Sequence, residues 1–230
     1  MHRCSLLALP PALVLASLPA TAQPAAVDTL LVLAVDASGS IDADEFQLQR
    51  EGYAEALSHP AVLAAIAGRP HGAIAVAMVE WGAPGGAATV VDWHRVADAA
   101  SARILAAAVL AAPRSRQSWN AIGDALDHCA ALLRAALFAA AERVIDLSGD
   151  GPDLRSLRPA ATARDAAVAA GITINALAVA AAGQVTRLGE PLAETYRREV
   201  IGGAGAFVMT AEDRRDLARA LRAKLVREIA

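Results

Sequence analysis

The feature that most constrains the fold is the alternation of short, largely apolar runs with longer helical stretches. Such runs, rich in Val, Ile, Leu and Ala, cover residues 30–35, 73–81, 143–148 and 172–179. Strands that are apolar at every position are buried on both faces, as in the parallel sheet of an α/β domain. Aromatic residues make up only 3% of the chain, which favours helices packed on an aliphatic sheet over an all-β sandwich.

Two further strands and six helices complete the predicted pattern. Residues 87–93 follow the Gly/Pro turn "GAPGG" and should pair with 73–81 as an antiparallel hairpin at a sheet edge, and residues 206–209 form the last strand. Helices are predicted at 41–57, 98–111, 120–137, 159–170, near 196 and at 212–229. We therefore predict an α/β fold of three layers: a doubly wound, mostly parallel, six-stranded sheet with one antiparallel edge strand. If the strand order is 3-2-1-4-5-6, the first and fourth strands are central neighbours.

The N-terminus has the composition of a secretory signal peptide. His2 and Arg3 precede an apolar run from 6 to 18, and Ala20-Thr21-Ala22 fits an A-x-A cleavage site. The run is too short to span a bilayer and contains two prolines. We expect residues 1–22 to be removed, residues 23–230 to form one domain, and the protein to be periplasmic or secreted, without membrane insertion.

The charge of the chain limits the class of partner, and its cysteine content limits the possible disulfides. The net charge is −3 and the chain has no basic block, which argues against nucleic acid and anionic membranes as partners. Removal of the signal peptide takes away Cys4, so Cys129 remains alone and an intramolecular disulfide is excluded. Cys129 is interpreted as a small buried apolar residue.

Two acidic residues directly follow two of the apolar strands. Asp36 follows the first strand and Asp150 the fourth, and in this strand order the two strands are neighbours. Ligands of open α/β sheets bind beyond the carboxyl ends of the strands, where the order reverses. Ser38 and Ser40 add hydroxyl oxygens, and carboxylates with neutral oxygens suit a hard divalent cation: Mg²⁺, or Mn²⁺ or Ca²⁺ in its place.

These residues resemble a known family. "DASGS" at 36–40 is similar to the D-x-S-x-S signature of the metal-ion-dependent adhesion site (MIDAS) of von Willebrand factor A domains. With "AIGDAL", "RVIDLSGDGPD" and "VIGGAGAFV", the mature chain resembles an exported bacterial family of unknown function with this Rossmann-like, von Willebrand A fold. The resemblance implies a metal site of Asp36, Ser38, Ser40, Asn120 and Asp150, with Asn120 where A domains usually have threonine. It also implies that the bound cation accepts an Asp or Glu of a protein partner.

Several alternatives stay open. The first loop could merely cap the following helix, and Asn120 could be the N-cap of the helix at 120–137. A phosphatase of the haloacid-dehalogenase type also carries an aspartate after its first strand and a GDG motif. Here position 38 is serine instead of the acid/base aspartate, and the only lysine, Lys224, follows the motif instead of preceding it. A scaffold without metal is the third alternative, and we expect a binding protein that is not an enzyme.

Other polar and aromatic residues are given structural roles. Asp146, inside the fourth strand, is interpreted as a hydrogen-bonded structural residue, because a lone buried carboxylate is costly. Four further acids are expected to be solvated or to cap helices: Asp42, Asp44, Asp124 and Asp153. Trp119 is expected to be a core or strand-end aromatic that borders the proposed site.

Overall fold

The computed structural model describes residues 25–212 and 216–230 and contains the predicted six-stranded sheet. The predicted signal peptide at 1–22 lies outside the described residues. The strands are β1 (Ala26–Asp36), β2 (Ile74–Trp81), β3 (Ala88–Val96), β4 (Ala139–Gly149), β5 (Thr173–Val179) and β6 (Val208–Ala211). Their spatial order is β3-β2-β1-β4-β5-β6, which meets the condition under which the first and fourth strands are neighbours.

All strand pairs are parallel except β2 with β3, which confirms the predicted antiparallel edge. β1 lies at the centre between β2 and β4, and every residue of β1 from Val27 to Asp36 is buried. This explains the uniformly apolar sequence of the first run, because helices cover both faces of a parallel sheet. The chain order reverses between β1 and β4, so the crevice expected for a ligand lies at their carboxyl ends.

Seven helices surround the sheet within the described residues: α1 (Ala43–Ser58), α2 (Pro60–Ala67), α3 (Ala99–Ala111), α4 (Ile122–Ala135), α5 (Ala160–Ala169), α6 (Leu192–Glu199) and α7 (Leu217–Ile229). Asp42 and Glu45 form the capping box predicted for α1. Helix α2 was not predicted from the sequence. Helix α4 begins at Ile122 after Ala121, so the interpretation of Asn120 as its N-cap is wrong.

The core has two halves, one on each face of the sheet. One face packs against α4, α5 and α6, and Cys129 is fully buried there, as predicted. The other packs against α1, α2, α3 and α7, with Leu217, Leu221 and Leu225 of α7 pointing inward, as predicted. Within the described ranges, no helix has the length and hydropathy needed to cross a bilayer.

Candidate metal site

The first element of the site is Asp36, the last residue of β1. Asp36 is only 1% exposed, and its Oδ1 accepts a hydrogen bond from the Ser38 N–H at 2.8 Å. Its Oδ2 accepts a hydrogen bond from the Asp150 N–H at 3.3 Å. Because β1 and β4 run side by side, the loops that follow them meet, and the main chain of both loops holds the Asp36 carboxylate.

Side chains connect the same two loops. The hydroxyl oxygens of Ser38 and Ser40 lie 3.1 Å apart, and the Ser40 hydroxyl donates to Oδ2 of Asp150 at 3.1 Å. Ser38 is buried, whereas Ser40 is exposed. Four of the five predicted ligands therefore form one hydrogen-bonded network that runs from the buried end of β1 to the surface.

The fifth predicted ligand, Asn120, lies at the edge of this network. Its carbonyl oxygen accepts a hydrogen bond from the Leu154 N–H at 2.7 Å, which ties the loop before α4 to the loop after β4. Its side-chain amide packs against Gly151, where an added Cβ would clash with Nδ2 of Asn120. Gly151 thus permits a close approach that a larger residue would prevent. The Asn120 amide is next to the Asp150 loop, but no hydrogen bond joins it to the other four side chains.

The electrostatics of the site favour a cation. Burial and, to a lesser extent, the nearby Asp150 together raise the pKa of Asp36 to about 7, against the hydrogen bonds that lower it. Ionised Asp36 is therefore costly in the protein alone, and a positive charge at the site would offset that cost. Among the described residues, no group of three or more His, Cys, Asp or Glu side chains is placed to share a metal ion. The donors here are two carboxylates completed by hydroxyl and amide oxygens, which fits a hard cation that keeps part of its water.

Two buried tyrosines support the loop after β4. The Tyr196 hydroxyl of α6 donates to the carbonyl of Gly151 at 2.9 Å, and the Tyr53 hydroxyl of α1 donates to Oγ of Ser148 at 2.9 Å. Burial raises the pKa of Tyr196 well above its usual value, and Asp36 and Asp150 raise it further. Tyr196 thus holds the main chain next to Asp150, and Tyr53 holds the Ser148 side chain near the end of β4; the sequence pattern gave no indication of either role.

Arginine and glutamate side chains fix the first loop from the other side. Arg114 donates to the carbonyl of Ile41 at 2.6 Å, immediately beyond the "DASGS" segment. Behind it, Arg50 and Glu80 form a fully buried ion pair at 2.5 Å, and Glu80 Oε2 accepts a hydrogen bond from the Ser115 N–H at 2.6 Å. This pair holds the segment before α4 against the sheet, so the loops around the site are fixed by buried polar contacts.

Two acids expected to be solvated or capping have defined roles. Asp153 accepts hydrogen bonds from the N–H groups of Ile122 and Ala160, and so holds the starts of α4 and α5 together, which confirms a capping role. Asp124 is buried and accepts hydrogen bonds from the N–H groups of Gly85 and Leu157. It joins the β2–β3 turn to the loop after β4, so the expectation of a solvated or capping Asp124 is wrong.

The rim of the site carries a stacked pair in an uncommon backbone conformation. The guanidinium of Arg155 lies 4.6 Å from the centre of the Trp119 ring. Both residues have positive φ angles, 64° for Trp119 and 70° for Arg155, a region that bulky side chains rarely adopt. Trp119 is 52% exposed, so the expectation of a core aromatic is wrong, although it lies next to Asn120 at the site.

Comparison with known proteins identifies the family. The family described as "Protein of unknown function (DUF1194)" matches residues 26–230. No curated protein matches the chain in sequence.

Solved structures with a similar fold include three proteins of low sequence identity. The pilus adhesin SpaC from Lactobacillus rhamnosus GG has a TM-score of 0.63 at 14% identity, over 90% of this chain and 32% of the adhesin. Proximal thread matrix protein 1 from the mussel byssus, with a zinc-occupied MIDAS motif, has a TM-score of 0.61 at 16% identity, over 90% of this chain and 47% of that protein. A von Willebrand factor type A protein from Catenulispora acidiphila has a TM-score of 0.60 at 20% identity, over 88% of this chain and 43% of that protein.

These likenesses show the fold. It is of the von Willebrand A type, as predicted from the sequence. This chain spans about a third to a half of the length of those proteins.

Proposed function

The chain belongs to the DUF1194 family of proteins of unknown function, and on that premise we propose that it is an exported binding module that uses a divalent cation. Asp36, Ser38, Ser40 and Asp150 would hold the cation, with Asn120 as a fifth oxygen donor. The partner would be a protein that offers an exposed Asp or Glu side chain. When bound, the cation would supply positive charge and a coordination position for that outside carboxylate oxygen.

One observation carries this proposal: the network that joins a buried carboxylate to a surface carboxylate through two serine hydroxyls. Asp36 is buried beside Asp150, and the Ser38 and Ser40 hydroxyls lie between the two loops. If these residues merely capped α1, Asp36 would face the first turn of that helix. That cap is instead provided by Asp42, which accepts a hydrogen bond from the Glu45 N–H at 2.8 Å. The capping alternative therefore has little support at Asp36.

The comparisons support the proposal at the level of the fold. The mussel protein of this fold is described with a zinc-occupied MIDAS motif, and the Lactobacillus protein is described as a pilus adhesin. We extend metal binding and protein binding to this chain because its own residues supply suitable donors. Mg²⁺ is our first choice of ion, with Mn²⁺ and Ca²⁺ as substitutes that use the same oxygen donors.

The proposed location follows from the predicted signal peptide. A basic start, an apolar run and an A-x-A site at residues 20–22 favour export, and we propose that the protein is periplasmic or secreted. The cation would then come from the extracytoplasmic medium.

The position of Lys224 argues against the phosphatase alternative. In that reaction a basic side chain would assist at the phosphate near Asp36. Lys224 instead lies on α7 and forms buried ion pairs with Asp146 and Glu228. Position 38 is a serine that hydrogen-bonds within the loop, so a general acid for the leaving group would have to come from elsewhere. We therefore propose binding, and not catalysis.

The test is a thermal and chemical unfolding experiment on the mature chain with Mg²⁺ or with chelator. At a Mg²⁺ concentration of about 100 times the Kd, binding should stabilise the protein by about 2.7 kcal/mol. Asp36→Asn should lose this stabilisation. Asp42→Asn is the matched control, because asparagine also caps helices and Asp42 is outside the network. Wild-type protein that gains nothing from Mg²⁺ or Mn²⁺, or an equal gain in Asp36→Asn, would contradict the metal site.

A further inference from the structure

An apolar groove adjoins the candidate metal site. It lies between the loop after β4, residues 150–159, and the loop between β5 and α6, residues 180–191. Its volume is about 210 Å³, and Asp150 lies on its wall together with Pro152, Leu154, Val185 and Leu192. Asp150 is thus shared between the groove and the carboxylate network. A chain segment that brought an acidic side chain to the cation would pass directly beside the groove.

The apolar side chains of the groove are accessible. Leu154 is 42% exposed and Val185 is 53% exposed, although both belong to a class of residue that folding usually buries. The surrounding loops carry further exposed apolar side chains: Trp119, Leu157 and Leu188. Exposed apolar residues on the loops around a polar site are typical of a binding surface.

The charges at the rim specify the kind of partner. Arg187 lies on the groove wall and Arg155 stacks on Trp119, and within the described residues neither arginine forms an ion pair with a carboxylate. Both arginines of α6 differ in this respect, since Arg197 and Arg198 pair with glutamates. Two such cations beside an apolar groove complement an acidic segment that also carries an aliphatic side chain.

We propose that this groove binds an aliphatic side chain that neighbours the metal-binding acid of the partner protein. The partner segment would carry Asp or Glu flanked by Leu, Ile or Val, with a further acidic group facing Arg187 or Arg155. The inference rests on the proposed function, because the acid at the cation places the neighbouring side chain over the groove. Specificity among acidic partners would then come from the groove, since the cation accepts any exposed carboxylate.

The test uses four biotinylated peptides immobilised on a streptavidin sensor. A central Glu is flanked on both sides by Leu or by Ser, and each peptide has a matched form with Gln in place of Glu. Binding of the mature chain is measured by biolayer interferometry in Mg²⁺ and in EDTA. The Leu-flanked Glu peptide should bind at least about tenfold more tightly than the Ser-flanked one, and only in Mg²⁺.

Substitutions separate the groove from the metal site. Leu154→Ser with Val185→Ser should remove the preference for Leu and leave Mg²⁺-dependent binding of Glu peptides intact. Leu137→Ser is the matched control, because Leu137 is 85% exposed and lies before β4, at the opposite end of the sheet. Thermal unfolding of each variant checks that the fold is retained.

The outcomes distinguish the two proposals. Equal binding of Leu-flanked and Ser-flanked Glu peptides in Mg²⁺ would overturn the groove and leave the proposed function standing. A preference for Leu that persists in EDTA and with Gln would overturn the metal-dependent function and reduce the groove to an independent apolar site. Absence of binding by all four peptides would overturn both.

Discussion

Strand β4 contributes aspartates to two clusters of acids that differ in how their charge is compensated. In the middle of the strand, Asp146 lies with Glu228 of α7 and is fully buried. Just beyond the end of the strand, Asp150 lies with Asp36 of β1. Lys224 enters the first cluster and pairs with both carboxylates. In the second cluster, Asp36 accepts hydrogen bonds from main-chain N–H groups of Ser38 and Asp150.

The two clusters differ in their access to solvent as well as in charge. The side chains of Lys224, Asp146 and Glu228 are between 0% and 1% exposed, so they are screened from solvent in the folded protein. The network of Asp36 continues through Ser40 to the surface. The acids sealed in the core are therefore paired with a cation of the chain itself, Lys224. Where they open to solvent, hydroxyl oxygens surround them, which suits an exchangeable cation.

The largest effect should come from removing the internal cation. The substitution Lys224→Met leaves the side chains of Asp146 and Glu228 buried without a neighbouring positive charge. It should therefore lower the free energy of unfolding, measured by urea denaturation, by about 3–5 kcal/mol. Arg222→Met is the control at a partly exposed position on the same helix, and it should lower the free energy of unfolding much less.

If the two clusters are independent, the stabilisation of Lys224→Met by Mg²⁺ should equal that of the wild type. If Mg²⁺ no longer stabilises this variant although the variant is still folded, the two clusters are coupled, and the contrast drawn between them is wrong.

The protonation of Glu228 gives the second prediction. Burial and the neighbouring Asp146 raise its pKa from 4.5 to about 8, while Lys224 opposes the shift. Between these two pH values, the folded protein keeps a proton that the unfolded chain releases. The free energy of unfolding should therefore fall as pH rises through this window, by about 1–2 kcal/mol between pH 6 and 8.

Glu228→Gln isolates this contribution, because glutamine does not titrate. Its unfolding free energy should vary less with pH than that of the wild type when both are measured in the same chelator. The contribution of Asp36, whose pKa is also raised, is then common to both proteins and cancels. Identical pH profiles would show that Glu228 is ionised in the core.

The smallest effects should distinguish the individual oxygen donors of the candidate metal site. Ser40→Ala removes a hydroxyl that bonds Asp150 and should weaken Mg²⁺ binding by about tenfold in calorimetric titration, about 1.4 kcal/mol. Asn120→Ala should weaken it several-fold, because the amide lies at the edge of the network. Ser118→Ala, at an exposed position nearby, should leave it unchanged. Unaltered binding in Asn120→Ala would remove Asn120 from the ligand set.

The buried strands and the acids at their ends could be predicted because they follow from local sequence. Buried strands of a parallel sheet are apolar throughout, and the acids at their ends are visible as abrupt changes of polarity. The same rule misplaced the strand ends: β4 begins at Ala139 instead of 143, since "AAAE" has no β-branched residue. Helix α2 was missed because it is only eight residues long and apolar on all sides.

The polar contacts that hold the site could not be predicted, because they join residues far apart in the chain. Lys224 and Asp146 are separated by four elements, and no periodicity or spacing links them. Asp124 lies on a helix face that predicts solvent exposure, yet loops from two other elements cover it. The position of Asn120 could be predicted only in part. The motif placed it near the site, but how closely its side-chain amide approaches the Asp150 loop depends on the glycine at position 151.

The burial of Lys224 also has a practical consequence. It is the only lysine of the chain, and it is 0% exposed. Amine-reactive dyes, biotin esters and aldehyde fixatives should therefore modify the folded protein at its α-amino group alone. Coupling through that group would immobilise every molecule in one orientation on a sensor surface. Labelling of Lys224 under denaturant would in turn report, molecule by molecule, that α7 has left the sheet.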